Sequence, residues 1–157
     1  KVLTMQKFAV AGALAAGAVV AGSAVIEAQD APAAEPKAVV DSYELMELLF
    51  EHPYAEMKEI AASNPEAGNR EAWKGMYDKA NTLAEVSNLL FFRDAEDDEK
   101  TPEWKTMSAA TRDAAVAVAA AVRSKDIAAV NEKIEALRVS CNACHTHVLG
   151  EDGPVIE

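Results

Sequence analysis

The chain is poor in the residues that staple, break or loop a small domain. Of its 157 residues only two are cysteine, seven glycine and six proline. Two cysteines cannot build the disulfide framework of a small secreted domain, which needs several pairs spread along the chain. Aromatic residues are scarce too, with two Trp, three Tyr and four Phe. Apolar bulk must therefore come from aliphatic side chains and alanine. No run of β-branched residues and no sustained apolar–polar alternation marks a strand. Neither a glycine-rich phosphate loop nor an internal repeat is visible. Basic residues are outnumbered, 15 Lys and Arg against 26 Asp and Glu, for a net charge of −11. That excludes nucleic acid as a partner, because binding it needs a basic footprint. Acidity of this degree keeps a protein soluble and suits partners with basic docking surfaces.

What is present is alanine in quantity with Leu, Glu and Lys, the composition of helices. The length fits one domain, and an all-α domain is expected. Residues 1–28 read as an export segment. Lys1 and Lys7 precede a stretch from Phe8 to Ile26 that is apolar apart from Gly and Ser23, with small residues offering cleavage after Ala24 or Ala28. A retained membrane anchor is the competing reading, since the stretch approaches the length of a span. Either places the domain outside the cytoplasm, periplasmic or otherwise exported, with a membrane reached only through this segment. Residues 29–37, with Pro32 and Pro36, read as a linker.

Four amphipathic segments follow within 38–149. The first carries Val39, Tyr43, Met46, Leu49 and Phe50 at helical spacing, opened by Asp41 with Glu44 three later. Pro53 predicts a kink or break near His52, after which Met57 and Ile60 resume the pattern to Asn64-Pro65. The second runs from about Glu66 or Asn69 to about Arg93, with Trp73, Tyr77, Ala80, Leu83, Ser87 and Leu90 as its seam. Asp94–Lys100 reads as a solvated loop. Thr101-Pro102-Glu103 opens the third as an N-cap and first-turn proline, and Trp104, Met107, Thr111, Val118 and Val122 line one face. Asp126 or Ser124 caps the last, where Ile127, Val130, Ile134, Leu137, Cys141, Cys144 and Val148 share a side. Residues 150–157 read as a loose acidic tail. Short links between long segments imply an antiparallel four-helix bundle.

Both cysteines lie in Cys141-Asn142-Ala143-Cys144-His145. Two thiols three apart, with histidine directly after the second, form the pattern of c-type haem attachment. On a helix these positions meet one ligand together. Each thiol can form a thioether to a vinyl group, and the imidazole can bind iron. Three other readings compete. A thioredoxin-like pair belongs at a helix start after a strand. A zinc site would recruit Cys141, Cys144, His145 and His147, although adjacent Cys144 and His145 are awkward ligands. The plainest is a buried cysteine pair with an incidental histidine.

A motif of this kind in the last helix of an exported four-helix chain resembles the class II c-type cytochromes, the cytochrome c′ group. The resemblance covers roughly Pro36 to Val148. It implies one covalently attached haem c per chain, with Cys141 and Cys144 as thioether residues and His145 as the proximal iron ligand. It also implies redox partner proteins, no enzymatic turnover, and a possible homodimer through the first two helices. Members often carry a basic residue soon after the motif; here His147 stands in that region.

In such a bundle the start of the first helix lies beside the end of the last. A methionine there gives a six-coordinate electron carrier, and an apolar residue leaves iron open to nitric oxide or carbon monoxide. Met46 is the candidate sixth ligand. Met57 is eleven residues further, roughly 16 Å along a helix, and His52 is a weaker alternative. Met76 and Met107 belong to helical seams. The expectation is an exported monohaem electron carrier with His145 and Met46 on iron, the alternative a five-coordinate gas-binding protein.

Overall fold

The structure, a computed structural model, describes residues 37–93, 98–151 and 153–157, and of Asp98 the backbone alone. The expected export segment (1–28) and all but Lys37 of the linker (29–37) lie outside the described residues.

Helices begin where short polar side chains can satisfy the first free backbone amides. Asp41 accepts from the Glu44 amide at 2.7 Å, Asn69 from Ala72 at 3.1 Å, and Asp126 from Ala128 and Ala129 at 3.0 and 3.2 Å. The elements are α1 (Ser42–Met46), a π-helical turn (Glu47–Glu51), α2 (His52–Ala62), α3 (Arg70–Phe91), a short 3-10 turn (Asp98–Lys100), α4 (Thr101–Ser124) and α5 (Ile127–Leu149). No strand occurs among the described residues. Thr101 is the first residue of α4 rather than its cap, because the 3-10 turn winds directly into it and Lys100 takes the cap position. The chain leaves α4 through Lys125 in the left-handed region, φ 54°, and leaves α5 through Gly150 at φ 87°, where glycine is favoured.

Pro53, expected to kink or break the first segment near His52, is accommodated by a change of winding. Pro53 has no amide hydrogen, and its ring would press on the Leu49 carbonyl in a regular α-helix. The five residues Glu47–Glu51 open into a π turn and the helix continues without interruption. One extra residue is thereby inserted in the register. The buried positions are Leu45, Phe50, Tyr54, Met57 and Ala61, a step of five across the π turn and of three or four after it. Leu45 is buried one turn before Phe50, where unbroken periodicity places Met46, and Leu49, likewise expected inward, is exposed. Val39 and Tyr43, also expected inward, are exposed.

Four helical lengths pack against each other, with α2 on α3, α3 on α4, α4 on α5 and α5 back on α2. Lys79 of α3 meets Glu56 of α2 at 2.5 Å. The Trp104 indole donates to the Leu90 carbonyl at 2.8 Å, and Arg123 bonds the Tyr77 hydroxyl. The core between them holds Met57, Met76, Leu83, Val118, Val130 and Leu137, all fully buried. Small residues let α4 approach its neighbours, with Ser108, Thr111, Ala115 and Ala119 buried along it. Met107, expected in that seam, is only half-buried, and Ser108 has the inward place.

The register shift is testable. Leu45 is 3% exposed and Leu49 44%. Leu45→Ala should destabilise the fold by about 2–4 kcal/mol, as truncation of a buried leucine does, whereas Leu49→Ala should cost less than about 1 kcal/mol. Denaturant unfolding of the two variants checks this, and comparable losses in both would mean that the helix is regular through Pro53, since a regular helix puts i and i+4 on one face.

Candidate functional site: the inner face of the last helix

The inward stripe of α5 runs Val130, Ile134, Leu137, Cys141, all buried. It continues one turn later into Cys144 and His145, which are half-buried. The helix is unbroken from Ile127 to Leu149, so the two thiols and the imidazole sit at i, i+3 and i+4 on one side. Both thiols are free, with no disulfide. Cys141 is 3% exposed. Burial, and secondarily the neighbouring Cys144, pushes its thiol up to about 12. Burial raises Cys144 as well. Neither is the activated, low-pKa thiol of a redox enzyme, and the motif lies near a helix end with no strand before it.

His145 is held from outside the helix. Its Nδ1 lies 2.8 Å from the carbonyl oxygen of Pro154. A carbonyl can only accept, so Nδ1 carries a proton, and in the neutral form of the ring that arrangement puts the lone pair on Nε2. Metal-binding histidines are commonly oriented in this way, with the second nitrogen donating to a carbonyl.

Tyr54 is a residue of α2 whose electrostatics respond to Cys141. Its ring stacks on Phe50 with centroids 6.5 Å apart, and Lys58 Nζ stands 5.6 Å from its centroid. The phenol oxygen is buried and has no hydrogen-bond partner among the described residues. Its pKa rises to about 12, first through burial and then through the proximity of Cys141, with Arg138 opposing and Glu135 adding. Lys58 in turn lowers the Glu135 pKa after the larger effects of the Arg138 hydrogen bond, burial and the Arg138 charge. Tyr54 and Lys58, one turn apart on α2, thus feel charges on α5, Tyr54 that of Cys141 among others and Lys58 that of Glu135. The sequence named Tyr54 only as apolar wall. An unsatisfied buried hydroxyl is a property of packing and leaves no trace in a sequence pattern.

The remaining expected residues are more scattered. Met46 is half-buried against the core at the end of α1. Its helix packs on α3, and the contact with α5 is carried by α2. His52 is exposed and lies near Glu56, whose carboxyl pKa it helps, as the smallest contributor, to lower. Met57 and Met76 are fully buried core residues. His147 is exposed. The basic group beside the end of α5 is Lys100, whose Nζ lies 3.4 Å from the Val148 carbonyl and comes from the turn before α4. Among the described residues no three of His, Cys, Asp and Glu are grouped to hold a metal ion, so the zinc set of Cys141, Cys144, His145 and His147 is not assembled. No described helix is long and apolar enough to cross a membrane.

The Tyr54 phenol makes a prediction for the chain as described. A pKa raised from 10 to about 12 means that the neutral phenol stabilises the fold fully below pH 10, and that this is lost as pH rises toward 12. Tyr54→Phe removes both the unsatisfied hydroxyl and the titration. It should leave stability at pH 7 unchanged or about 1 kcal/mol higher, and should flatten its fall in strong alkali. Unfolding curves across pH test this, and a loss above about 1 kcal/mol at pH 7 would mean that the hydroxyl has a bonding partner.

No family model, no curated protein and no solved structure matches the chain; the reading of the site rests on its residues and their geometry.

Proposed function

We propose that this chain is an exported monohaem c-type cytochrome, built as an antiparallel four-helix bundle and carrying single electrons. One observation carries the reading. Cys141, Cys144 and His145 share one side of α5, and the Pro154 carbonyl at 2.8 Å keeps the His145 Nε2 lone pair available. The donor set fits a covalently attached haem. Two thiols separated by one helical turn supply the thioether links, and an imidazole one residue later supplies an iron ligand. Opposed pairs support the antiparallel arrangement, since Leu90 meets Trp104 while Tyr77 meets Arg123.

When bound, haem c supplies one-electron exchange at its iron. The chain's own contribution is electrostatic and steric. Apolar residues of α2 and α5 exclude water from the Cys141 side, which favours the less charged state of any redox centre held there. The His145 imidazole, with its proton on Nδ1, is a stronger donor through Nε2 than an imidazole lacking that hydrogen bond. The chain's net charge of −11 draws partners with basic surfaces and leaves its fingerprint as a salt-dependent association rate. Lys100 is the cation available for an acidic group near the end of α5.

The identity of the sixth ligand separates two functions. Met46 gives a His/Met pair and a high-potential carrier. The second reading, a five-coordinate protein that binds nitric oxide or carbon monoxide, is favoured by one observation: it is Tyr54, not a ligating side chain, that α2 brings near Cys141, and its buried hydroxyl lacks a partner. Visible absorption spectra of the haem-loaded protein, with and without carbon monoxide, discriminate them. The carrier gives a low-spin spectrum indifferent to carbon monoxide, converted to high-spin by Met46→Ala. Gas binding by the unmutated reduced protein would sink the Met46 assignment and establish the second reading.

A further inference from the structure

The residues after α5 do not trail into solvent as their acidity led one to expect. Gly150 turns the chain, and the Gly153 amide donates back to the Gly150 carbonyl at 3.0 Å. Gly153 then lies flat against the helix end. A Cβ there would stand 3.0 Å from Leu149 Cβ, 3.1 Å from the Gly150 oxygen and 3.2 Å from the His145 oxygen. Pro154 presents its carbonyl to His145. Ile156 meets Asn142 twice. Its amide donates to Oδ1 at 2.7 Å, and its carbonyl accepts from Nδ2 at 3.0 Å. Arg138 adds a second bond to the same carbonyl at 3.3 Å, and the Ile156 side chain packs on the core. Lys58 of α2 closes the run by bonding the Glu157 carbonyl.

The anchors on α5, Arg138, Asn142 and His145, are spaced four and three apart, a stripe parallel to the cysteine stripe. An asparagine side chain that bonds both polar groups of one backbone residue imitates a strand pairing, and it fixes position as well as direction. Asn142 lies between the two cysteines, where attachment chemistry places no demand on residue type. Its side chain is spent on the strap instead.

We infer that Gly153–Ile156 is a positioning strap for His145, with Asn142 as its anchor. The strap holds the Pro154 carbonyl against Nδ1 and so selects the tautomer that leaves Nε2 free. Where the proposed haem is bound, a step that rests on the functional reading above, the same bond tunes the strength of His145 as a ligand and hence the potential of the iron. Asn142 and Pro154 are positioning residues, since neither would touch the iron.

Two variants loosen the strap by different routes. Asn142→Ala removes its anchor and favours the helix. Gly153→Ala leaves no room for the strap to lie flat. Nitrogen-15 NMR of the His145 ring in the full chain reads the result in either form of the protein. Purified without haem, the unmutated chain should show the Nδ1–H tautomer, and both variants a mixture containing Nε2–H. Purified with haem, its Nδ1–H should exchange slowly with solvent, at least tenfold faster in both variants, and their reduction potentials should move upward together. An unchanged ring signal and unchanged exchange in both variants, with helix content retained, would overturn the strap. Failure of the haem reading looks different, because no haem would be attached while the tautomer result stood on its own.

Discussion

The structure depends on one buried stripe. Val130, Ile134, Leu137 and Cys141 of α5 pack between α4 and α2, and that contact closes the ring of helices. Each fully buried aliphatic side chain contributes on the order of 1.5–3 kcal/mol, comparable to a large part of a small domain's net stability. Because the cysteines continue the same stripe, whatever orients α5 for folding also orients Cys141, Cys144 and His145. Site and core share a face, so the chemistry inherits its rigidity from packing. The polar bonds around it then specify detail, such as which His145 nitrogen holds a proton.

Much of this was legible in the sequence, for identifiable reasons. Helix starts are written in single side chains: Asp41 caps where the pattern indicates, Asn69 caps at one of the two starts it left open, and Asp126 is one of the two caps it offered. Periodicity read the stripe from Val130 to Cys141 correctly in the regular helix α5. It slipped by one residue at Met107, where Ser108 is the buried position, and failed where the winding changes. A π turn adds a residue without altering composition, so Leu45 is buried where Met46 was expected and Leu49 is exposed. The fold-back after Gly150 was illegible for another reason. It is built from bonds between Asn142, His145 or Arg138 and the backbone of residues 154 and 156, and such bonds have no period to detect. Lys100 was missed because its partner, Val148, is distant along the chain.

The two halves of the proposed site therefore stand on different ground. The α5 half is local, three side chains on one helix, and its geometry follows directly from helical spacing. The α1 half is a long-range relation that the π turn complicates, since any argument counting residues from Asp41 to a sixth ligand must cross or stop short of an irregular stretch. Met46 is the last residue before that irregularity, half-buried against the core, while Tyr54 lies beyond it on the side of Cys141. On the proposed haem reading, electron transfer against gas binding would turn on which of these two residues faces the iron.

The central claim, that this helix face holds a covalent haem, is most directly tested by mass. The full chain produced in cells that carry the haem-attachment machinery, then measured intact under denaturing conditions, should be heavier by one haem. The Cys141→Ser, Cys144→Ser double variant should lack that increment. A chain of unmodified mass, recovered folded from cells that load a control c-type cytochrome, would contradict the account.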